Sequence, residues 1–303
     1  MREQFASWAA AHTGLKSLNP RDLQQRLAAF NAHRLRPGLP NDNWRRELRA
    51  ELELRELEGE YVENERRAVS AMLAELPGDP DAFMQWFEAL RETGPGQNDA
   101  LFPWLASQAS MDAMRWFLTQ EIGGEAGFDD LVALTQVRLP VQPKLELARN
   151  YWDEMGRGRE DDMHGRMLEH VAEELGLHAT PEATVWESLA LANLMAALAA
   201  TRRYTYLSVG ALGVIELTAP GRVAQVNQGL QRLGVSATGR RYFQLHAGLD
   251  IRHAEAWNRE VIRPLVSADP ALIRPIAEGA LLRLRCGAAC FERYRRELGV
   301  IAA

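Results

Sequence analysis

The chain has 303 residues, with 35 Lys and Arg against 41 Asp and Glu for a net charge of −6. No basic block is present, so the electrostatic footprint of a nucleic-acid binder is missing. The length suits one large domain or two small ones, and the apolar and charged fractions, 47% and 25%, are those of an ordinary soluble globular protein.

The N-terminus, MREQFASWAAAH, carries neither a long apolar segment nor a cleavage signature, and the longest near-continuous apolar run, Leu189 to Ala200, is too short to span a bilayer. The expected setting is therefore cytoplasmic, with no membrane partner. Cys286 and Cys290 stand one helical turn apart, a spacing poor for a disulfide, and read as buried thiols in a reducing compartment.

Residues 1–95 read as helices and little else. Pro20 opens a helix ending near Leu35, and a second runs from Asn43 through a Glu- and Arg-rich segment to about Leu76, where Pro77 and Gly78 stop it. Alternating charge signs along it mark a solvated face. Pro80 opens a third. His12 and His33 sit on no apolar stripe and read as surface or structural residues. The turn-rich stretch GPGQNDALFP, Gly94 to Pro103, separates this N-terminal helical extension, 1–95, from a main bundle, 96–303.

In Met111 to Leu134, Glu121 shares a helix face with Phe117, Leu118, Phe128 and Val132, and Glu125 lies one turn further on. The Gly123–Gly124 pair weakens the helix there, leaving open which glutamate points inwards. After Pro140 and Pro143, Glu154 follows Asn150 and Tyr151 by one turn; the bland reading makes it a surface partner of Arg157 or Arg159. Gly156 and Gly158 break the helix, and Asp161 or Asp162 can cap the next one. His164 there shares a face with Met167, Leu168 and Val171.

Pro181 opens a long apolar helix to about Ala200. Tyr204 to Pro220 is another, and Glu216 is its sole charge. Val209, Leu212 and Gly213 lie below Glu216, so its carboxylate is destabilising unless paired or liganded. Gly221 begins a further helix to Leu233. Arg202, Arg203, Tyr204 and Tyr206 could anchor a substrate carboxylate, although surface and packing roles suit them better. Arg241 to Trp257 reads as a helix in which His246, Asp250 and His253 fall within roughly 60° of one another, on the face of Tyr242, Phe243, Leu249 and Trp257. The last segments run from Ala271 to Glu278 and from Gly279 to Leu298. Period-2 alternation and hairpin signals are missing, so the expected class is all-α.

Four segments thus turn carboxylates or imidazoles inwards. They carry Glu121; Glu154 and His164; Glu216; and His246, Asp250 and His253. Three imidazoles and four carboxylates suit a dinuclear iron or manganese centre, whereas a closed structural zinc site needs four ligands and prefers thiolates. A ferritin-like bundle would place Glu-x-x-His on each of two helices. Here the acid–His pairs at that spacing are Asp161–His164 and Asp250–His253, which argues against that fold.

The segments FLTQE…FDDLVALTQ, ELARNYWDEMGRG…MH, GALGVIELTAPGR and YFQLHAGLDIRHAEAW resemble the haem-oxygenase-like diiron oxidases, iron-containing redox enzymes, over about Met111 to Arg283. The resemblance implies a haem-oxygenase-like helical bundle. It also implies two non-haem iron ions held by Glu121, Glu154, His164, Glu216, His246, Asp250 and His253, with Glu125 competing for the first place. Dioxygen would be the co-substrate, and the chemistry N-oxygenation, desaturation or oxidative C–C cleavage of a small amino-acid-like or fatty-acid-like substrate, often in natural-product pathways. The same fold hosts haem oxygenases, which need a proximal His near the chain start, and thiaminase-like hydrolases, which need a Cys in the bundle away from the last helix. An external electron donor and a homodimer stay open. The alternative function is a non-enzymatic metal-binding or partner-binding bundle, which would bind Fe(II) without reacting with oxygen.

Overall fold

The computed structural model describes residues 18–301, and within that span the side chains of residues 249–251 fall outside the description. His12 therefore lies outside the described residues, and so does the side chain of Asp250. Among the described residues there are helices and turns and no strand, so the protein is all-α. Cys286 and Cys290 are free and buried.

In chain order the helices are α1 (Pro20–Leu35), α2 (Trp44–Val69), α3 (Pro80–Thr93), α4 (Leu101–Ser107), α5 (Met111–Gly123) and α6 (Phe128–Thr135). They continue with α7 (Val141–Glu154), α8 (His164–Leu175), α9 (Trp186–Ala200), α10 (Thr205–Arg232), α11 (Arg241–Trp257), α12 (Arg263–Ala268) and α13 (Ile273–Leu298). A π-helical turn, Asn258–Ile262, joins α11 to α12.

Helix α10 is the axis, packing most extensively on α11 and α13. Small residues let it come close. A Cβ built at Gly210 would stand 1.9 Å from the Ile276 carbonyl oxygen, and one at Gly279 would stand 1.9 Å from that of Leu207. Two glycines thus face each other's helix backbone across the α10–α13 crossing, and no side chain larger than hydrogen fits at either. Gly213 does the same for α11. It leaves room for the Trp257 indole, whose Nε1–H donates to the Val209 carbonyl at 3.2 Å. By length and composition the segment Arg202–Arg232 could cross a membrane, yet 61% of its apolar window is buried inside the protein, as a core helix requires.

The N-terminal helices are tied to the bundle by polar contacts. Asn193 on α9 donates to the backbone and side-chain oxygens of Gln24 on α1, both at 2.9 Å, and Tyr61 on α2 donates to the Ala190 carbonyl at 2.8 Å. All these groups are buried, so each bond removes the penalty of an unpaired polar atom.

Several boundaries differ from the sequence reading. Expected to break at Pro220, α10 instead continues to Arg232 with the proline inside it. The missing N–H costs one hydrogen bond, the one that would have gone to the Glu216 carbonyl, and burial of the helix on both sides outweighs it. The two last segments expected, Ala271 to Glu278 and Gly279 to Leu298, are instead one helix, α13, and Pro275 is accommodated in its first turn, where the N–H has no intrahelical acceptor. Pro181 does not open α9, which starts at Trp186 after a turn. The regular α-helix of α2 stops at Val69, followed by a 3₁₀ turn to Leu73. Neither Asp161 nor Asp162 caps α8: both belong to a 3₁₀ turn, and Met163 precedes the helix without a side-chain cap.

Candidate metal centre

The last turn of α7 carries Asn150, Asp153 and Glu154, and the chain must then reverse to bring α8 alongside. Gly156 permits this. Its φ of +60° is left-handed, and a Cβ there would stand 2.4 Å from the Asp162 backbone. The turn returns the chain at His164, the first residue of α8, so two groups ten positions apart meet inside the protein. His164 Nδ1 lies 2.5 Å from Glu154 Oε2, and both side chains are buried. Helix α10 brings Glu216, 3% exposed, and α11 brings His246 and His253 from one face.

These five residues form two overlapping triads whose ligand-type atoms converge. One is Glu154, His164 and His246; the other is Glu154, Glu216 and His253. Within each, the atoms lie within 4.8 Å of one another. Glu154 is common to both, and the two histidines of α11 are divided between them.

Second partners fix the rings. His246 Nδ1–H donates to the Tyr242 carbonyl one turn back, at 2.7 Å, which leaves Nε2 as its lone-pair nitrogen. His253 Nε2–H donates to Asp153 Oδ2 at 3.2 Å, which turns Nδ1 to Glu216 Oε1 at 3.5 Å. Asn150 Nδ2 donates to the same Glu216 oxygen at 2.6 Å. Histidines whose outer N–H is held by a carbonyl or carboxylate are oriented as metal ligands are.

The electrostatics are unfavourable without a cation. Burial, and then the neighbouring Glu216, push the Glu154 carboxyl well above its usual range. Burial also holds His164 and His246 down at about 4, helped in the first case by His253 and in the second by His164. Burial opposes protonation of His253 too, but Glu216 and Asp153 outweigh it and keep the ring at about 9. Both ring nitrogens of His164 and Nδ1 of His253 are buried without a hydrogen-bond partner, although carboxylate oxygens lie close to Nδ1 of each. Lone pairs and carboxylates that converge without hydrogen-bond geometry are the arrangement a divalent cation satisfies. The mixed N/O donor set suits iron.

A cavity of about 150 Å³ opens beside the triads. Glu154, His164, Glu216 and His246 line it, together with Glu125, Asp129 and Arg283 and an apolar wall that includes Phe128, Leu168, Met195 and Ile215.

Among the residues singled out from the sequence, Glu154, His164, Glu216, His246 and His253 are brought together. Glu121 is not. It belongs to neither triad, and the groups that act on its carboxyl are Tyr294, Arg283 and Arg222. Glu125 lines the cavity and acts electrostatically on Glu154, and so does Asp129 at the start of α6. Arg157 pairs with Asp153 at 2.6 Å and Arg159 with Asp162 at 3.0 Å, so neither takes Glu154. Arg202 donates to the Leu134 and Val137 carbonyls, while Arg203 and Tyr204 hold Glu63 at 2.7 and 2.8 Å, which are packing roles.

Asn150, Asp129 and Asp153 are the site neighbours that sequence reasoning passed over. For Asp153 no local signal exists, because its partner His253 is 100 residues away.

A sequence model of the family described as iron-containing redox enzymes matches residues 115–288. The fold is similar to two crystal structures of a CADD-like protein of unknown function from Nostoc punctiforme PCC 73102. One aligns at 18% identity and TM-score 0.53 over 72% of this chain and 98% of that one. The other aligns at 17% and 0.52 over 72% and 95%. At this identity the likeness shows the helical fold alone. Comparison with curated proteins finds no match.

Proposed function

The chain belongs to the iron-containing redox enzymes, and from that premise we propose that it is a non-haem diiron oxidase or oxygenase acting on a small amino-acid-like or fatty-acid-like substrate. The observation that carries this reading is the pair of buried triads sharing Glu154. Two ions held at such a centre would supply the electrons and open coordination positions that dioxygen activation needs.

The chain's own residues would then do the following. Glu154, His164 and His246 would hold one ion and Glu154, Glu216 and His253 the other, with Asp250 of α11 and a carboxylate from Glu125 or Asp129, which line the cavity, completing the set in place of Glu121. Asn150 keeps one Glu216 oxygen oriented. Tyr242 and Asp153 keep the outer nitrogens of His246 and His253 protonated, so the inner nitrogens stay free. The apolar wall of the cavity excludes water and positions a substrate beside the triads. The buried free thiols Cys286 and Cys290 fit a reducing, cytoplasmic setting.

The test is anaerobic titration with Fe(II), followed by oxygen while its consumption is recorded. Two ions per chain and an oxygen uptake that Glu216→Ala diminishes with helical content intact are expected. No iron bound above background overturns the reading; iron bound without oxygen uptake favours a storage or scaffold role instead.

A further inference from the structure

The cavity beside the triads contains a guanidinium that is not paired. Arg283 of α13 lines it, half-buried, yet among the described residues its guanidinium makes no hydrogen bond and closes no ion pair. Other arginines of the interior are matched: Arg34 forks onto both oxygens of Glu58 at 3.0 and 2.6 Å, and Arg66 onto Glu278 at 3.0 and 3.1 Å. Gly287, one turn along α13, clears the space Arg283 occupies, since a Cβ there would stand 2.7 Å from its Nη1.

Four carboxyls line the same cavity, Glu125, Asp129, Glu154 and Glu216, but among the described residues none closes an ion pair with Arg283, and Glu154 and Glu216 converge on the triads. A second guanidinium, Arg222 of α10, is near enough to be disfavoured by Arg283; it rests on the Phe102 and Phe291 rings and donates to Thr218 Oγ1 at 3.2 Å. Of the carboxyls on which Arg283 acts, Glu121 is engaged by the Tyr294 hydroxyl, and Glu125 reaches Arg283 only through space. A guanidinium presents a planar fork of donors that matches a carboxylate, and leaving it bare in a half-buried cavity is costly.

We propose that Arg283 receives the carboxylate of the substrate, and that this substrate is a short organic acid rather than a long acyl chain. The cavity is small. At about 150 Å³ it is comparable to cavities that admit a benzene-sized molecule. The proposal rests on the reading of the triads as the reaction centre, because the same cavity joins Arg283 to Glu154 and Glu216.

The test is calorimetric titration of hexanoate, hexylamine and palmitate into anaerobic Fe(II)-loaded protein, with bound iron counted in each sample. Hexanoate should bind at least about tenfold more tightly than either of the others. Arg283→Leu should weaken it about tenfold or more, with Arg283→Lys falling between. Iron content should stay unchanged in all three proteins. Gly287→Ala, which displaces the guanidinium without removing it, should also weaken hexanoate and guards against a folding defect in the leucine variant. Hexanoate binding that is absent from the wild type, indifferent to Arg283→Leu, or matched by palmitate overturns the proposal. Failure of the diiron reading would show separately, as absence of bound iron.

Discussion

Asp153 accepts the Nε2–H of His253 at 3.2 Å, and that one bond turns the opposite nitrogen of the ring to Glu216. Asp153 is in turn held by Arg157 at 2.6 Å, from a turn in which Arg157 itself takes a left-handed φ of 54°. Loss of an outer carboxylate of this kind costs a metal site about 10–100-fold in affinity. Asp153→Asn should therefore weaken Fe(II) binding by that order while circular dichroism stays unchanged. Equal affinities in wild type and variant would reduce Asp153 to a surface ion pair.

Glu154 stands in both triads, whereas His246 and His253 stand in one each. Glu154→Gln should accordingly lose both ions, and His246→Ala and His253→Ala about one each. Metal analysis after anaerobic loading and desalting reads this directly. A glutamine variant that still retains one tightly bound ion would show that the two sites do not share this carboxylate.

The metal-free protein should lose stability as pH rises from about 6.5 to 9. His253 titrates near 6.5 when unfolded and at about 9 when folded. Between these values the native state binds more protons, so the stability that protonation contributes is fully present below 6.5 and is gone above 9. The raised Glu154 carboxyl acts in the same sense where it titrates. His164 and His246, held down at about 4, are neutral in both states across most of this window and fully so in its upper part. A loss on the order of 2 kcal/mol is expected, measured by urea unfolding in chelator at several pH values. Metal needs the same ligands deprotonated, so loading should abolish the decline. A metal-free midpoint that rises over this range would contradict the assignment.

Gly210 and Gly279 should tolerate no side chain. An added Cβ would lie 1.9 Å from a backbone oxygen of the facing helix in either case, and backbone cannot rotate away as a side chain can. Alanine at either position should destabilise by about 1–3 kcal/mol or more, because the α10–α13 crossing must widen. Denaturant midpoints check this. Gly221, around which nothing lies within 4 Å, is the matched control and should accept alanine with little change.

Helical periodicity is a local property, and it sufficed for much of this molecule. The all-α class, the inward turn of Glu216, and the placement of His246 and His253 on one face of α11 all follow from which residues recur every three to four positions. The lone glutamate of α10 was conspicuous for the same reason: nothing else between Tyr204 and Pro220 is charged.

Tertiary structure decided what depends on partners distant in sequence. Pro220 looks like a helix break, and Glu278–Gly279 like a boundary, until the burial of α10 and its close crossing with α13 are known. Glu121 and Glu125 are equivalent on periodicity, but the break after α5 leaves Glu121 beside Tyr294 and puts Glu125 on the cavity wall. Asp153 goes unremarked in the sequence, and only the packing of α11 against α7 reveals that it orients His253. Arg202 and Arg203 looked able to meet a carboxylate and are occupied, while Arg283, unremarked in the sequence, faces the cavity and makes no hydrogen bond or ion pair among the described residues. Pattern along a helix tells which way a side chain points; it carries no information about what the next helix places there, and the chemistry of this site is made between helices.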